Sequence, residues 1–175
     1  MSGPIVVLVG PPGAGKSTVG RGLAERWGVP LVDTDVEVET AAGRTISDIF
    51  VQDGEASFRD LERAAVLRAL QDGRSCVLAL GGGAVMQEAV AQALEQSPVP
   101  VVFLDVTIAD AASRVGFDTS RPLLLVNPRA SWTRLMNVRR PVYERLADHH
   151  VQTGGRTPAA VVEEVVERVG ERQEP

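Results

Sequence analysis

IVVLVGPPGAGKST (residues 5–18) decides how the rest of the chain is read. Five apolar, mostly β-branched residues run straight into a glycine-rich turn, and a helical pattern, KSTVGRGLAERW (16–27), follows at once. Gly10 to Ser17 fits G-x-x-x-x-G-K-[ST] in the strand-loop-helix context that the pattern requires. Glycines let such a loop wrap until backbone N–H groups and a helix N-terminus face one phosphate. Lys16 then reaches the outer phosphate oxygens, and the Ser17 hydroxyl is a ligand for Mg²⁺. The stretch implies a nucleoside triphosphate site. It also implies a strand buried on both faces, hence a parallel sheet.

The pattern continues outward. LVD (31–33), CVLAL (76–80), VVFLD (101–105) and a weaker HHVQ (149–152) read as further strands. Helical segments lie at 55–72, 87–96, 108–116 and 131–147, and a last helix starts near Pro158. Gly28 is placed to end the first helix, and Pro30 prevents its continuation. Strands alternating with helices of this length give a doubly wound α/β domain with five parallel strands. Its ligands are expected at the carboxyl ends of the strands.

Composition limits the partners. The 175 residues suit a single domain, and 44% apolar content with 23% charged is that of a soluble globular chain. A net charge of −5 is a poor footprint for nucleic acid or an anionic membrane. No apolar run is long enough for a membrane span, and the N-terminus reads as a strand, not as a signal peptide. The single cysteine, Cys76, excludes an internal disulfide framework and fits a reducing cytoplasm. Lys16 is the only lysine, against 17 arginines. A guanine-reading N-K-x-D motif is therefore absent. With no long apolar edge or heptad, a monomer is expected.

Candidate acceptor groups follow the later strands. Asp33 and Asp35, two apart in extended chain, would face one crevice. One would order Mg²⁺ through water and the other would hold an acceptor hydroxyl; the plain alternative is a strand exit with Asp35 capping a helix. Arg59 and Glu62 stand three apart on a helix, flanked by Phe50 and Phe58. An oriented guanidinium beside an apolar wall suits a small ring bearing a carboxylate. The same pattern also fits a core phenylalanine with a solvated ion pair. Gly81, Gly82 and Gly83 close the third strand, either to admit a ligand against the backbone or as a tight turn. Arg121 lies in a helix-breaking stretch (116–128) that reads as a mobile loop, from which an arginine could close over a γ-phosphate. Asp105 ends the best apolar strand and is either structural or metal-linked. His149 and His150, adjacent in a strand, point to opposite faces and make a poor metal pair.

Taken in order, GPPGAGKST, DTD, DIF…GExxFRxxE, GGGA, RPLL and RxPxY resemble the shikimate kinases over about residues 5–165. The resemblance implies a three-layer P-loop kinase fold with a small substrate-binding insertion (about 33–62) and a mobile lid (about 116–128). It implies ATP-dependent phosphorylation of the shikimate 3-hydroxyl with Mg²⁺, in aromatic amino-acid biosynthesis. By that resemblance Gly13, Ala14, Gly15, Lys16, Ser17 and Thr18 would hold the nucleotide phosphates, with Ser17 and Asp33 on the metal. Arg114 and Pro158 would flank the adenine. Asp35 would hold the attacking hydroxyl. Arg59 and Arg139 would clamp the carboxylate beside Gly81, Gly82, Gly83, Phe50 and Phe58, and Arg121 would be the lid arginine. The runner-up reading is another small-molecule kinase, of gluconate or of nucleoside monophosphates. A different class is an ATP-binding module without turnover.

Overall fold

A computed structural model describes residues 3–115 and 127–171. Five parallel strands form one sheet: β1 (Pro4–Val9), β2 (Leu31–Asp33), β3 (Cys76–Ala79), β4 (Val101–Asp105) and β5 (His149–Gln152). Their spatial order is β2-β3-β1-β4-β5. The near-continuous apolar runs of β1, β3 and β4 occupy the interior positions, as strands covered on both faces must. HHVQ falls at the edge, where only Val151 is fully buried. Helices α1 (Lys16–Trp27), α2 (Thr34–Ala42), α3 (Ile46–Asp53), α4 (Glu55–Gln71), α5 (Glu88–Gln96), α6 (Ile108–Val115), α7 (Pro128–Leu146) and α8 (Pro158–Val169) cover the sheet. Gly28 ends α1 in the left-handed conformation, its N–H returning to the Ala24 and Glu25 carbonyls, as the sequence predicts.

Topology places the site. The connection leaving β1 runs toward β2, whereas the one leaving β3 crosses β1 to reach β4. Neighbouring strands whose connections diverge open a crevice at their carboxyl ends. Register brings three chain exits to one level, with Leu8 and Asp33 both aligned with Ala79. The glycine loop, the Asp33–Asp35 turn and the triple glycine therefore emerge side by side.

Two helices are absent from the sequence-based expectation. The interval between β2 and α4 folds as α2 and α3, which bury only Thr34, Val38 and Ile49 between them. Both are too short and too sparsely apolar to show a helical period. They close over α4 through a small separate core of Val38, Ile49, Phe58 and Ala65. Helix α7 begins at Pro128, three residues before the predicted start, with the proline at its first turn. Cys76 is buried, and that burial pushes its thiol pKa up to about 11, so the cysteine is unreactive.

Candidate active site

The loop after β1 turns on three glycines at positive φ: Gly10 (150°), Gly13 (84°) and Gly15 (91°). A Cβ on Gly10 would lie 2.4 Å from the Leu104 carbonyl oxygen, so the position is closed to side chains. Five successive carbonyls of the loop accept hydrogen bonds from side chains. Lys16 Nζ donates to Gly10 O (2.7 Å) and Pro11 O (3.1 Å), and Trp132 Nε1 to Pro12 O (3.1 Å). Arg114 donates to Gly13 O (3.1 Å) and Ala14 O (3.3 Å). With its acceptors engaged, the polarity that the loop offers a ligand is that of donors at a helix N-terminus. This is an anion receptor.

A cavity of ≈ 410 Å³ lies over the loop, large enough for a nucleotide. Residues Gly13 to Thr18 line it, with Asp33, Asp35, Gly82, Arg114 and Pro158. Two further lining residues were not singled out from sequence. Thr153, buried, receives Arg114 on both its hydroxyl (3.0 Å) and its carbonyl (2.6 Å). Arg156 bonds Gln152 O (2.8 Å) and Glu164. Neither carries a local motif, which is why sequence reading passed over them.

The two aspartates share the cavity, but not by strand alternation. Asp33 ends β2 and caps α2, its Oδ1 accepting the Asp35 N–H at 3.0 Å. Asp35 stands in the first helical turn. The cap is thus Asp33, and a strand-to-helix turn, not an extended chain, brings the pair together. Asp33 Oδ2 accepts the Ser17 hydroxyl at 2.7 Å. Among the described residues no cluster of three or more His, Cys, Asp or Glu could hold a metal alone. One hydroxyl and one carboxylate beside a phosphate site fit Mg²⁺, which keeps waters and takes most of its remaining ligands from phosphates.

The triple glycine runs from carboxylates at one end to guanidiniums at the other. A Cβ on Gly81 would sit 2.6 Å from both Asp35 Oδ1 and Glu62 Oε2. On Gly82 it would sit 3.0 Å from an Arg139 nitrogen. On Gly83 it would meet two Arg59 nitrogens (2.6 and 2.7 Å) and one of Arg139 (2.9 Å). Two guanidiniums thus converge on one glycine. Arg59 is oriented as its spacing predicts, by Glu62 at 2.7 Å, and Glu62 is only 1% exposed, so this is not a solvated pair. Glu62 Oε2 has no hydrogen-bond partner among the described residues. Phe58 lies in the small core, with the Arg59 Cζ 5.1 Å from its ring centroid, and Phe50 packs on it at 5.0 Å. Of the two rings, Phe50 is the more open.

Arg139 and its neighbour Arg140 differ in burial and in partners. Trp132, Met136, Arg139, Tyr143 and Leu146 form the buried stripe of α7, and Arg139 is 6% exposed. Tyr143 donates from its hydroxyl to Gly82 O. Arg140 points elsewhere, to Asp105 through two bonds of 2.7 and 2.9 Å. That carboxylate also meets His150 Nε2 (2.9 Å) and Gln152 Nε2 (3.2 Å). Burial pushes the Asp105 carboxyl up, but hydrogen bonds from Arg140 and His150 outweigh it and hold it below the ordinary value. Asp105 thus sits at the centre of a side-chain network with Arg140, His150 and Gln152. Arg121 lies outside the described residues.

Gly83→Ala makes a direct test of this turn. The methyl would displace the ends of two arginine side chains and so disturb both guanidiniums directly. The expected result is a folded protein with unchanged KM for ATP and an acceptor KM raised about thirtyfold, the scale of one lost charged hydrogen bond or more. Steady-state kinetics in both substrates checks it.

A family model described as shikimate kinase matches residues 12–170. The shikimate kinase of Thermobifida fusca is 54% identical over 162 residues, covering 93% of this chain and 92% of that protein. That of Streptomyces coelicolor is 49% identical over 169 residues, covering 97% of each. Among solved structures, the shikimate kinase from Acinetobacter baumannii in complex with shikimate superposes with a TM-score of 0.90 at 35% identity, over 97% of this chain and 93% of that one. A gluconokinase from Sinorhizobium meliloti reaches only 0.58 at 20% identity, over 96% of this chain and 91% of its own, and shares the fold alone. Full-length likeness at half identity, on a sheet order and loop already seen in the structure, makes this chain a member of the shikimate kinase family.

Proposed function

We propose that this chain transfers the γ-phosphoryl group of ATP to the 3-hydroxyl of shikimate. The observation that carries the reading is the run of Gly81 to Gly83. It brings a carboxylate, Asp35, to one end and a two-guanidinium receptor, Arg59 with Arg139, to the other. An acceptor with a hydroxyl at one end and a carboxylate at the other matches both. The family membership and the shikimate carried by the Acinetobacter baumannii relative support the same acceptor.

Transfer proceeds in line through a loose transition state, so the protein contributes positioning and charge. The glycine loop and Lys16 hold the phosphates, and Arg121 supplies the second cation over the transferring group. Ser17 and Asp33 would hold Mg²⁺, which when bound neutralises phosphate charge. Asp35 aligns the attacking hydroxyl and takes its proton late, at a carboxylate oxygen. Arg114 and Pro158 flank the adenine. Residues of about 33–62 form the acceptor region and about 116–128 the lid of a single domain spanning 1–175. The protein acts as a monomer in the cytoplasm, without nucleic acid or membrane; among the described residues no helix is long and apolar enough to cross one.

ADP release with MgATP, comparing shikimate, gluconate, AMP and no acceptor, tests the reading. Release with shikimate alone is expected. Release with gluconate or AMP instead would overturn the roles of Asp35, Arg59 and Arg139. ATP binding without release would mean a module that does not turn over.

A further inference from the structure

The turn of α7 that carries Arg139 is the weakest in that helix. Pro141 lies inside it and has no N–H to give to the Asn137 carbonyl four residues back. A substrate-binding guanidinium on a loosened turn needs support from outside the helix. Two side chains supply it. Tyr143 bonds Gly82 O and stacks on Phe103 at 5.0 Å. Arg140 grips the Asp105 carboxylate with both ends of its fork, and its Cζ lies 5.7 Å from the Phe103 ring centroid on the way. Asp105 is itself fixed, because Val106 N–H, His150 and Gln152 all converge on it. It ends β4, an interior strand that pairs with β1. The anchor is thus the sheet that carries the phosphate loop.

We infer that Arg140 is a positioning residue for the phosphoryl acceptor: its two-pronged bond to Asp105 pins the Pro141-weakened turn of α7 and keeps Arg139 aimed at Gly82 and Gly83. The adjacent arginines divide the work, one binding the carboxylate and the other holding its neighbour in register. A planar fork on a fixed carboxylate resists rotation as a point charge cannot, so lysine is no substitute. The inference rests on the reading of Arg139 as a carboxylate ligand, and the test separates the two.

Shikimate and ATP kinetics are measured for the full chain, Arg139→Ala, Arg140→Met and the double variant, with thermal midpoints alongside. Arg140→Met is expected to raise the shikimate KM about tenfold, as sub-ångström misplacement of a ligand group does, with kcat and the ATP KM changed less than about threefold. In the Arg139→Ala background it should add nothing, because its effect passes through Arg139. An unchanged shikimate KM with a lowered thermal midpoint would reduce Arg140 to a structural ion pair. Multiplying effects in the double variant would also overturn the inference, since Arg140 would then act on its own. If Arg139→Ala leaves the shikimate KM unchanged, the reading of Arg139 fails first. Should Arg140→Met not fold, Arg140→Lys keeps the charge beside Asp105 and is expected to raise the shikimate KM by an intermediate factor; a wild-type value there overturns the inference equally.

Discussion

Arg121→Ala is expected to lower kcat about 10³-fold or more, the effect of removing an arginine that meets developing charge on a transferring phosphoryl group. On the proposed reading, much falls on this one side chain. Among the described residues three cations line the nucleotide cavity: Lys16, Arg114 and Arg156. Arg114 is committed to the Gly13 and Ala14 carbonyls and to Thr153. Arg156 is committed to Gln152 O, Ala160 O and Glu164. Lys16 Nζ rests on the Gly10 and Pro11 carbonyls of the loop, and a loose transition state spreads charge over three oxygens. On the proposed reading the second cation is Arg121, the only basic residue of 116–128. Turnover at saturating substrates checks this. A loss below tenfold with an unchanged ATP KM would remove Arg121 from the mechanism.

Asp35→Asn is expected to cost kcat about 10³-fold, within the range for loss of a positioned base, with ATP affinity preserved. The substitution keeps the shape of the side chain but removes its charge and its capacity to take a proton. Glu62 is the rival. Its buried Oε2 stands as close to the Gly81 position as Asp35 Oδ1 does, 2.6 Å in each case. If Asp35→Asn retains more than a tenth of wild-type turnover, proton acceptance shifts to Glu62. A large loss in Asp35→Asn leaves Glu62 the holder of Arg59.

Most of the sheet was legible because parallel interior strands advertise themselves. IVVLV and VVFLD need no context to be read as buried on both faces, and the loop between Gly10 and Ser17 fixes its own chemistry. The α2–α3 segment was not legible, because a lobe with a four-residue core leaves only three buried positions on two short helices. The site was readable where function sits in a motif and opaque where it depends on tertiary neighbours. Asp33 and Asp35 were found for a partly wrong reason, since a helix turn replaced the assumed strand. Nothing near Trp132 announces a hydrogen bond to Pro12 O, 120 residues away. Arg139 carried a signal that spacing to Pro141 and Tyr143 captures only indirectly. It occupies a position that the apolar stripe of α7 would otherwise give to a hydrophobic residue.

Helix α7 also works as a ruler. Trp132, which holds the phosphate loop, and Arg139, which reaches the triple glycine, lie seven residues apart on one face. At 1.5 Å of rise per residue that is roughly 10 Å of helix between the contact with the phosphate loop and the contact with the triple glycine. If Arg139 binds the acid group, as proposed, the helix sets the distance from that group to the attacking oxygen. An acceptor longer by one carbon would bring its hydroxyl about 1.5 Å out of line, enough to forfeit most of the rate. Selectivity of this kind lies in the length of a helix and needs no contact with the extra atom.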